Sequence, residues 1–124
     1  MTALRSYREL AVWEKSMTLA RSVYTAAEMM PKKEEYRLTS QMIRAAISIP
    51  ANIAEGHARA TRKDYAHFVS ISRGSTAELE TLILLTQQCE LLPDRTVEEL
   101  HASAEEVGRM LRRLHERLKQ APEN

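Results

Sequence analysis

The chain has 124 residues, of which three are glycine and four are proline, and its formal net charge is +1. This length suits one domain over residues 1–124, the scarcity of turn residues favours long helices, and the near-neutral charge gives no general argument for nucleic-acid binding. No apolar run approaches the roughly 18 residues of a membrane span, and a single cysteine excludes an internal disulfide and favours the reducing cytoplasm.

Four helices are predicted, and the first runs over about residues 9–29. Its apolar residues recur at a 3–4 spacing in two adjacent stripes, which indicates a wide buried face. Trp13 is expected to anchor this face in the core. Pro31 ends the helix, and a charged loop leads to the second helix at residues 36–55.

The second helix contains the most informative run of the chain, QMIRAAISIPANIAEG at residues 41–56. Pro50 removes a backbone donor and should kink the helix, and Gly56 is predicted to end it as the C′ residue. One broad side of the helical wheel is apolar, and a narrow stripe is polar. The polar stripe consists of Gln41, Arg44, Ser48, Asn52 and Glu55. This stripe is interpreted as a polar network or a subunit contact, with a solvated face as the alternative.

The third helix is predicted over residues 62–90, capped by the side chain of Thr61 with Asp64 at the third helical position. Cys89 is interpreted as a buried small apolar residue, and Gly74 as a point of close approach by a neighbouring helix. The predicted buried seam of this helix consists of Phe68, Ile71, Ser75, Glu78, Leu82, Leu85 and Cys89.

The fourth helix is predicted over residues 97–120, after a capping box formed by Thr96 and Glu99. Its apolar residues follow a single uninterrupted 3–4 seam. Because the connections are short, consecutive helices should be antiparallel. The predicted fold is therefore an all-α, up-down-up-down antiparallel four-helix bundle.

Glu78 lies on the predicted apolar seam, where an unpaired carboxylate costs several kcal/mol. It is therefore predicted to join a hydrogen-bonded cluster, either within one chain or across a subunit boundary. Such clusters fix the register of helices more often than they perform chemistry. The other predicted members are Arg44, Ser48, Asn52 and Ser75.

No catalytic residue, metal site or cofactor is predicted. The polar stripe holds no nucleophile beside a base. The Glu-x-x-His spacing of helical carboxylate metal sites occurs at Glu98 and His101, with a looser analogue at Asp64 and His67. Antiparallel helices place these two pairs at opposite ends of the bundle, so they cannot share an ion. The chain is expected to be non-enzymatic.

The antiparallel layout also places the loop after the second helix beside the end of the fourth helix. A basic patch at this end can face nucleic-acid phosphates, although cations near a helix C-terminus also complement the helix dipole. Sequence-specific readout is not expected, because no recognition-helix turn, zinc-finger spacing or aromatic RNA-binding motif occurs. The seven cations of the predicted patch are Arg59, Arg62, Lys63, Arg112, Arg113, Arg117 and Lys119.

Three motifs together resemble the 23S rRNA-intervening sequence proteins, a bacterial family of four-helix bundles. They are LAVW at residues 10–13, RAAISIPANIAEG at 44–56 and GSTAELETL at 74–82. The resemblance covers about residues 7–92, and the fourth helix matches only in pattern. Ser72 stands where alanine is commoner in the family, and Thr76 where an apolar residue is commoner.

The resemblance implies a homo-oligomer, a pentameric ring of bundles, with no enzymatic activity. It also implies a distant similarity to the accessory protein of diversity-generating retroelements, a basic pentamer that binds nucleic acid and a reverse transcriptase. The lead hypothesis is a non-enzymatic oligomeric scaffold that contacts RNA or DNA through its basic end, repeated around the ring. The alternative is an adaptor ring that holds a protein partner without touching nucleic acid, which an exposed apolar groove would favour.

Overall fold

A computed structural model describes residues 7–120, and within this part the chain forms four α-helices and no strand. A 3₁₀ turn precedes the first helix, and two irregular turns over residues 32–39 precede the second. The prediction of an all-α fold with four helices is confirmed. The helices are α1 (Ala11–Ala27), α2 (Ser40–His57), α3 (Arg62–Gln88) and α4 (Asp94–Lys119).

The helix starts show which of the predicted caps exist. The hydroxyl of Thr61 accepts a hydrogen bond from the N–H of Asp64 at 3.1 Å, so the predicted cap of α3 is confirmed. The predicted capping box at Thr96 is wrong. Pro93 occupies the N-cap position of α4 with a φ of −59°, which places Thr96 inside the helix.

The end of α2 differs from the prediction because Gly56 has another role. The helix continues to His57, and Ala58 rather than Gly56 lies at its C-cap. A Cβ atom added to Gly56 would lie 2.8 Å from the Cβ of Phe68 and 3.0 Å from a ring carbon of Tyr65. Gly56 is therefore buried where α3 approaches α2 closely, and the predicted C′ role is wrong.

The four helices pack around one apolar core. Contacts join α2 to α1 and α3, and α4 to α3 and α1, so each helix has two neighbours. Burying each large side chain contributes roughly 1.5–3 kcal/mol relative to exposure. Trp13 is half-buried and packs against this core, in agreement with its predicted role. The largest core side chains are Leu19, Met42, Ile49, Ile53, Leu79, Ile83 and Leu111.

The buried stripe of α3 is not the predicted seam. Of that seam only Leu82 is buried, whereas Ile71, Glu78, Leu85 and Cys89 are exposed. The predicted burial of Cys89 is therefore wrong, and Glu78 is not buried within a single chain. The side chains that face the core are Val69, Ser72, Thr76, Leu79, Leu82, Ile83 and Thr86.

Hydrogen bonds to backbone carbonyls explain why three hydroxyl residues of α3 are buried. Ser72 donates to the carbonyl of Ile49 in α2 at 2.9 Å. Thr76 donates to the carbonyl of Ser72 at 2.8 Å, and Thr86 donates to that of Ile83 at 2.6 Å. A buried hydroxyl with such a partner avoids most of its desolvation penalty. The polar residues at 72 and 76 are thus compatible with a core position.

Gly74 does not mark a helix contact within this chain. No atom lies within 4 Å of a Cβ added there, and the residue is exposed. The predicted close approach at Gly74 is therefore absent from the described part of the chain.

Candidate nucleic-acid interface

A groove between α3 and α4 collects cationic side chains from both helices. The start of α3 lies beside the end of α4, because the guanidinium of Arg62 donates to the carbonyl of Arg117 at 2.6 Å. Eleven residues make about three helical turns, so Arg73 follows Arg62 along the same side of α3. We define the basic groove by six side chains that line its two pockets: Arg62, Lys63, Arg73, Arg109, Arg112 and Lys119.

Within residues 7–120, none of the six cations of the basic groove forms an ion pair with a carboxylate. Four cations elsewhere on the surface do form such pairs, and they are Lys15, Arg37, Arg59 and Arg95. Some other described cations outside the groove form none, so the groove is distinguished by the convergence of its cations from two helices. Glu80 and Glu105 line the middle of the groove, whereas no acidic side chain lines the pocket at its end. The pocket where α3 begins and α4 ends is therefore lined by cations without a carboxylate among them.

The seven cations of the predicted patch do not form one surface. Arg62, Lys63, Arg112 and Lys119 lie in the basic groove. Arg113 and Arg117 line a separate pocket on another side of α4, together with Leu10 of the segment before α1.

Arg59 is held away from the groove by its own partners. Its guanidinium donates to the carboxylate of Glu55 at 2.6 Å, and its central carbon lies 4.7 Å from the ring centroid of Phe68. This ion pair and the cation–π contact belong to the junction between α2 and α3.

Sequence reasoning missed Arg73 and Arg109, because it looked for cations only near helix ends. Their signal is periodicity: Arg73 repeats Arg62 after about three turns, and Arg109 precedes Arg112 by about one turn. A wheel drawn through both helices would have joined them to the predicted cations.

The pKa of His115 is affected by burial and by the neighbouring cations of the groove. A guanidinium nitrogen of Arg73 lies 3.4 Å from its Nδ1. Because a guanidinium only donates, this contact is a hydrogen bond only when Nδ1 accepts, which favours the neutral imidazole of His115. Burial lowers the pKa of His115 below its usual value, and the charges of Arg73 and Lys119 lower it further, against a smaller opposite effect of Glu116.

A second surface lies along the junction of α2 and α3. Ser48 and Ser75 share a hydrogen bond at 2.8 Å, and the amide of Asn52 donates to the carbonyl and hydroxyl oxygens of Ser48 at 2.9 and 3.0 Å. The structure thus brings together three members of the predicted polar cluster. Arg44 and Glu78 are both exposed and form no ion pair with each other within residues 7–120.

The remaining polar-stripe residues lie at the two ends of this surface. Gln41 is exposed and lines a cavity with Leu85 and Cys89, whereas Glu55 pairs with Arg59. Ile71 and Leu85 keep 39% and 42% of their surface exposed. We define the α2/α3 face by Arg44, Ser48, Asn52, Ile71, Ser75, Glu78 and Leu85.

The histidine pairs considered as metal ligands remain apart. His101 lies 3.9 Å from Glu105, and the ring of His67 packs edge-on against Phe68. In the described ranges, no three side chains of His, Cys, Asp or Glu are grouped as metal ligands would be. None of the helices over residues 7–120 has the length and hydropathy needed to cross a membrane.

These features define an all-α protein with four packed helices, a basic groove and a partly apolar face. The chain belongs to the family of 23S rRNA-intervening sequence proteins, which it matches over residues 8–113. This match extends beyond the three motifs and includes most of α4. A comparison with curated proteins finds no significant match.

A solved structure confirms the relationship at the level of the fold. It is a protein of unknown function from the S23 ribosomal protein family of Bacteroides thetaiotaomicron. It superposes with a TM-score of 0.79 at 21% sequence identity, covering 85% of this chain and 95% of the other. At this sequence identity the similarity shows a shared fold and says nothing about function.

Proposed function

We propose that this protein is a homo-oligomeric scaffold that binds RNA or another nucleic acid through the basic groove and catalyses no reaction. The observation that carries the proposal is the set of six cations without a carboxylate partner in residues 7–120. Neutralising phosphates and releasing their counterions is the main source of sequence-independent affinity for nucleic acids. An overall charge of +1 conceals this local concentration.

The dimensions of the groove support contact with several phosphates. From Arg62 to Arg73 the helix rises about 16 Å, a length over which one strand of a duplex presents about five phosphates. Arginine side chains suit this role because the guanidinium fork matches phosphate oxygens. Contacts of this kind position a nucleic acid without reading its bases.

We infer an up-down-up-down arrangement of the four helices. Arg62 at the start of α3 bonds to Arg117 near the end of α4. The hydroxyl oxygen of Thr96, in the first turn of α4, lies 3.9 Å from the sulfur of Met29, just beyond the end of α1. Each contact joins the start of one helix to the end of a neighbour, as antiparallel packing requires.

The α2/α3 face is assigned to contact between copies of the chain. Neighbouring exposed aliphatic side chains can mark a surface that contacts another protein. Arg44 and Glu78 provide opposite charges that can pair across such a contact. Family resemblance makes a pentamer the expected assembly. A closed ring repeats the basic groove, so weak phosphate contacts combine by multivalency.

The absence of catalysis is supported by the partners of four of the five buried hydroxyl groups, the exception being Thr39, whose hydroxyl has no partner in residues 7–120. Ser16, Ser72, Thr76 and Thr86 each donate to a backbone carbonyl. A hydroxyl nucleophile needs an adjacent general base instead.

Binding of a labelled structured RNA at several salt concentrations tests the proposal. In the groove variant, Lys63, Arg73 and Arg112 are changed to Glu. In the control variant, Arg21, Lys32 and Lys33 are changed to Glu, so the change in net charge is the same at exposed positions outside the groove. We expect tight wild-type binding with a steep negative salt dependence.

The groove variant should bind weakly, with a salt slope reduced by roughly 0.7–0.9 for each lost phosphate contact. The control variant should retain most of the affinity. Equal losses in the two variants would mean that binding depends on net charge alone, and no wild-type binding at low salt would refute the nucleic-acid function.

A second candidate function is a protein adaptor that does not touch nucleic acid. The observation that favours it is the exposure of Ile71 and Leu85, which suits the apolar side of a partner helix as well as a second copy. Native mass spectrometry separates the two possibilities. A chain that binds no RNA, whether as a monomer or as a ring, would favour the adaptor, and a homo-oligomer that binds RNA would exclude it.

A further inference from the structure

The end of the basic groove widens into a cavity of about 720 Å³, which we call the end pocket. It lies between the first turns of α3 and the last turns of α4. Its volume falls within the roughly 300–1,000 Å³ typical of small-molecule sites. The pocket can therefore accommodate more than the phosphate oxygens that bind along the rest of the groove.

The chemistry of the end pocket is mixed in a particular way. Arg62, Lys63 and Lys119 provide three cations, and no carboxylate is among the lining side chains. Ala66 and Leu118 provide aliphatic surface between them. A simple anion needs only the cations, so the aliphatic surface indicates a ligand that also has an apolar part.

Two imidazole rings also line the pocket, together with Ser70 and Gln120. His67 lies on α3 and His115 on α4. The ring of His67 is oriented by Phe68, whose centroid lies 5.3 Å away at an interplanar angle of 78°. The ring of His115 is oriented by Arg73. Unpaired bases commonly stack on aromatic side chains, including histidine, in single-stranded nucleic-acid complexes.

We propose that the end pocket binds an unpaired nucleotide of a nucleic acid strand, with the phosphate on the cations and the base against the imidazole and aliphatic surfaces. The inference rests on the proposed function and specifies which part of the nucleic acid the groove recognises. Paired nucleotides cannot enter, because their bases are stacked inside a duplex. The protein therefore prefers nucleic acids with single-stranded ends or bulges.

Adenosine monophosphate and inorganic phosphate are the first probes. Their binding to the wild-type chain is measured by calorimetry and by the imidazole NMR signals of His67 and His115. We expect the mononucleotide to bind at least roughly fivefold more tightly than phosphate, the effect of one stacked base. Equal affinities would overturn the proposal and leave only an anion site.

Two labelled RNA hairpins of the same stem sequence provide the second test. One is blunt, and the other carries a short single-stranded overhang. The Ala66→Trp variant fills the end pocket without changing charge, and Ala102→Trp adds the same bulk to an exposed site on α4. Wild type and Ala102→Trp should prefer the overhang roughly fivefold or more. Ala66→Trp should bind both hairpins alike with an unchanged salt slope.

Thermal unfolding verifies that the Trp variants fold. Should Ala66→Trp not fold, the double variant Lys63→Gln/Lys119→Gln replaces it, and it should lose mononucleotide binding.

The hairpin experiment gives different results when the end-pocket proposal is wrong and when the proposed function is wrong. Salt-dependent binding of both hairpins without preference overturns the pocket and leaves the groove. Binding of neither hairpin overturns the proposed function, and the comparison of mononucleotide with phosphate then decides the pocket by itself.

Discussion

Helix α3 has different chemistry on the sides that it shares with α4 and with α2. In the basic groove, cations from both helices find no carboxylate partner in residues 7–120. On the α2/α3 face, polar groups such as Ser48 and Ser75 bond to each other, while Ile71 and Leu85 stay exposed. The cations of the groove therefore outnumber its two lining carboxylates, Glu80 and Glu105, and form no ion pair with them, whereas the face lacks apolar cover. One surface suits a polyanion and the other suits protein.

The largest expected effect is loss of assembly when the α2/α3 face is changed, compared with a change elsewhere on α3. Leu84 and Leu85 are neighbours with 40% and 42% of their surface exposed, but they point about 100° apart around the helix. Leu85→Glu should convert the proposed oligomer to monomers, because it places a charge in the proposed contact. Leu84→Glu should leave the oligomer intact. Light scattering and native mass spectrometry measure both outcomes.

The comparison fails if the two leucine variants behave alike. Dissociation in both would mean that α3 contacts its partner on a different side. An unchanged assembly in both would remove the α2/α3 face from the interface.

A similar neighbouring pair tests the basic groove. Arg112 lines the groove, whereas Arg113 lines the pocket on another side of α4, and both are exposed. Arg112→Glu should weaken RNA binding by about tenfold, which corresponds to about 1.4 kcal/mol. Arg113→Glu makes the same change in net charge and should have a much smaller effect. Anisotropy titrations at one fixed salt concentration measure the difference.

A reversed order, with Arg113→Glu the weaker binder, would move the nucleic-acid interface to the side of α4 that faces α1. That result would leave the leucine prediction unaffected, because the two surfaces do not share these residues.

Alanine substitutions at two glycines, one buried and one exposed, should change the stability of the fold in opposite directions. Gly56→Ala should destabilise the fold by about 1–3 kcal/mol, because the new Cβ would meet the Cβ of Phe68 at 2.8 Å. Gly74→Ala meets no atom within 4 Å and should stabilise the helix by about 1 kcal/mol. Chemical denaturation in the Leu85→Glu background measures the chain without contributions from assembly.

An equal loss of stability in the two variants would show that Gly74 is also covered. If Gly74→Ala lowers stability only in the chain without the Leu85→Glu change, Gly74 instead lies in the contact between copies.

Much of the fold could be predicted because it depends on local patterns. The 3–4 spacing gave the number and order of helices, and the Thr61 cap followed from its neighbours in the chain. The buried side of α3 was not predictable in the same way, because two stripes of equal period run side by side. The choice between them depends on packing against the other helices, and it includes long-range contacts such as the hydrogen bond from Ser72 to Ile49, which are 23 positions apart.

The candidate site was predicted only in part for a related reason. Four of the cations predicted from their position near helix ends line the groove, but the same criterion also selected Arg113, which points about 100° away from Arg112. Arg73 was missed because it lies inside a helix rather than at its end. Combining position along the helix with direction around it would have defined the groove more closely.

The smallest expected effect is electrostatic and concerns His115 at the end of the groove. Burial, together with Arg73 and Lys119, lowers its pKa in the folded chain below the usual value of 6.5. The unfolded chain therefore binds this proton more readily, and the free energy of unfolding should fall as the pH drops below about 6.5. His115→Gln should reduce this loss, as measured by denaturation at about pH 8 and about pH 5.

Nucleic-acid phosphates in the basic groove should reverse the direction of this shift. A bound phosphate neutralises the field of Arg73 and Lys119 and favours protonated imidazole, so the pKa of His115 should rise when RNA is added. By linkage, RNA should bind more tightly as the pH falls through this range. An NMR titration of the His115 ring, with and without RNA, measures the shift. An unchanged pKa in the saturated complex would place the phosphates away from the end of the groove, even if Arg112→Glu weakens binding as expected.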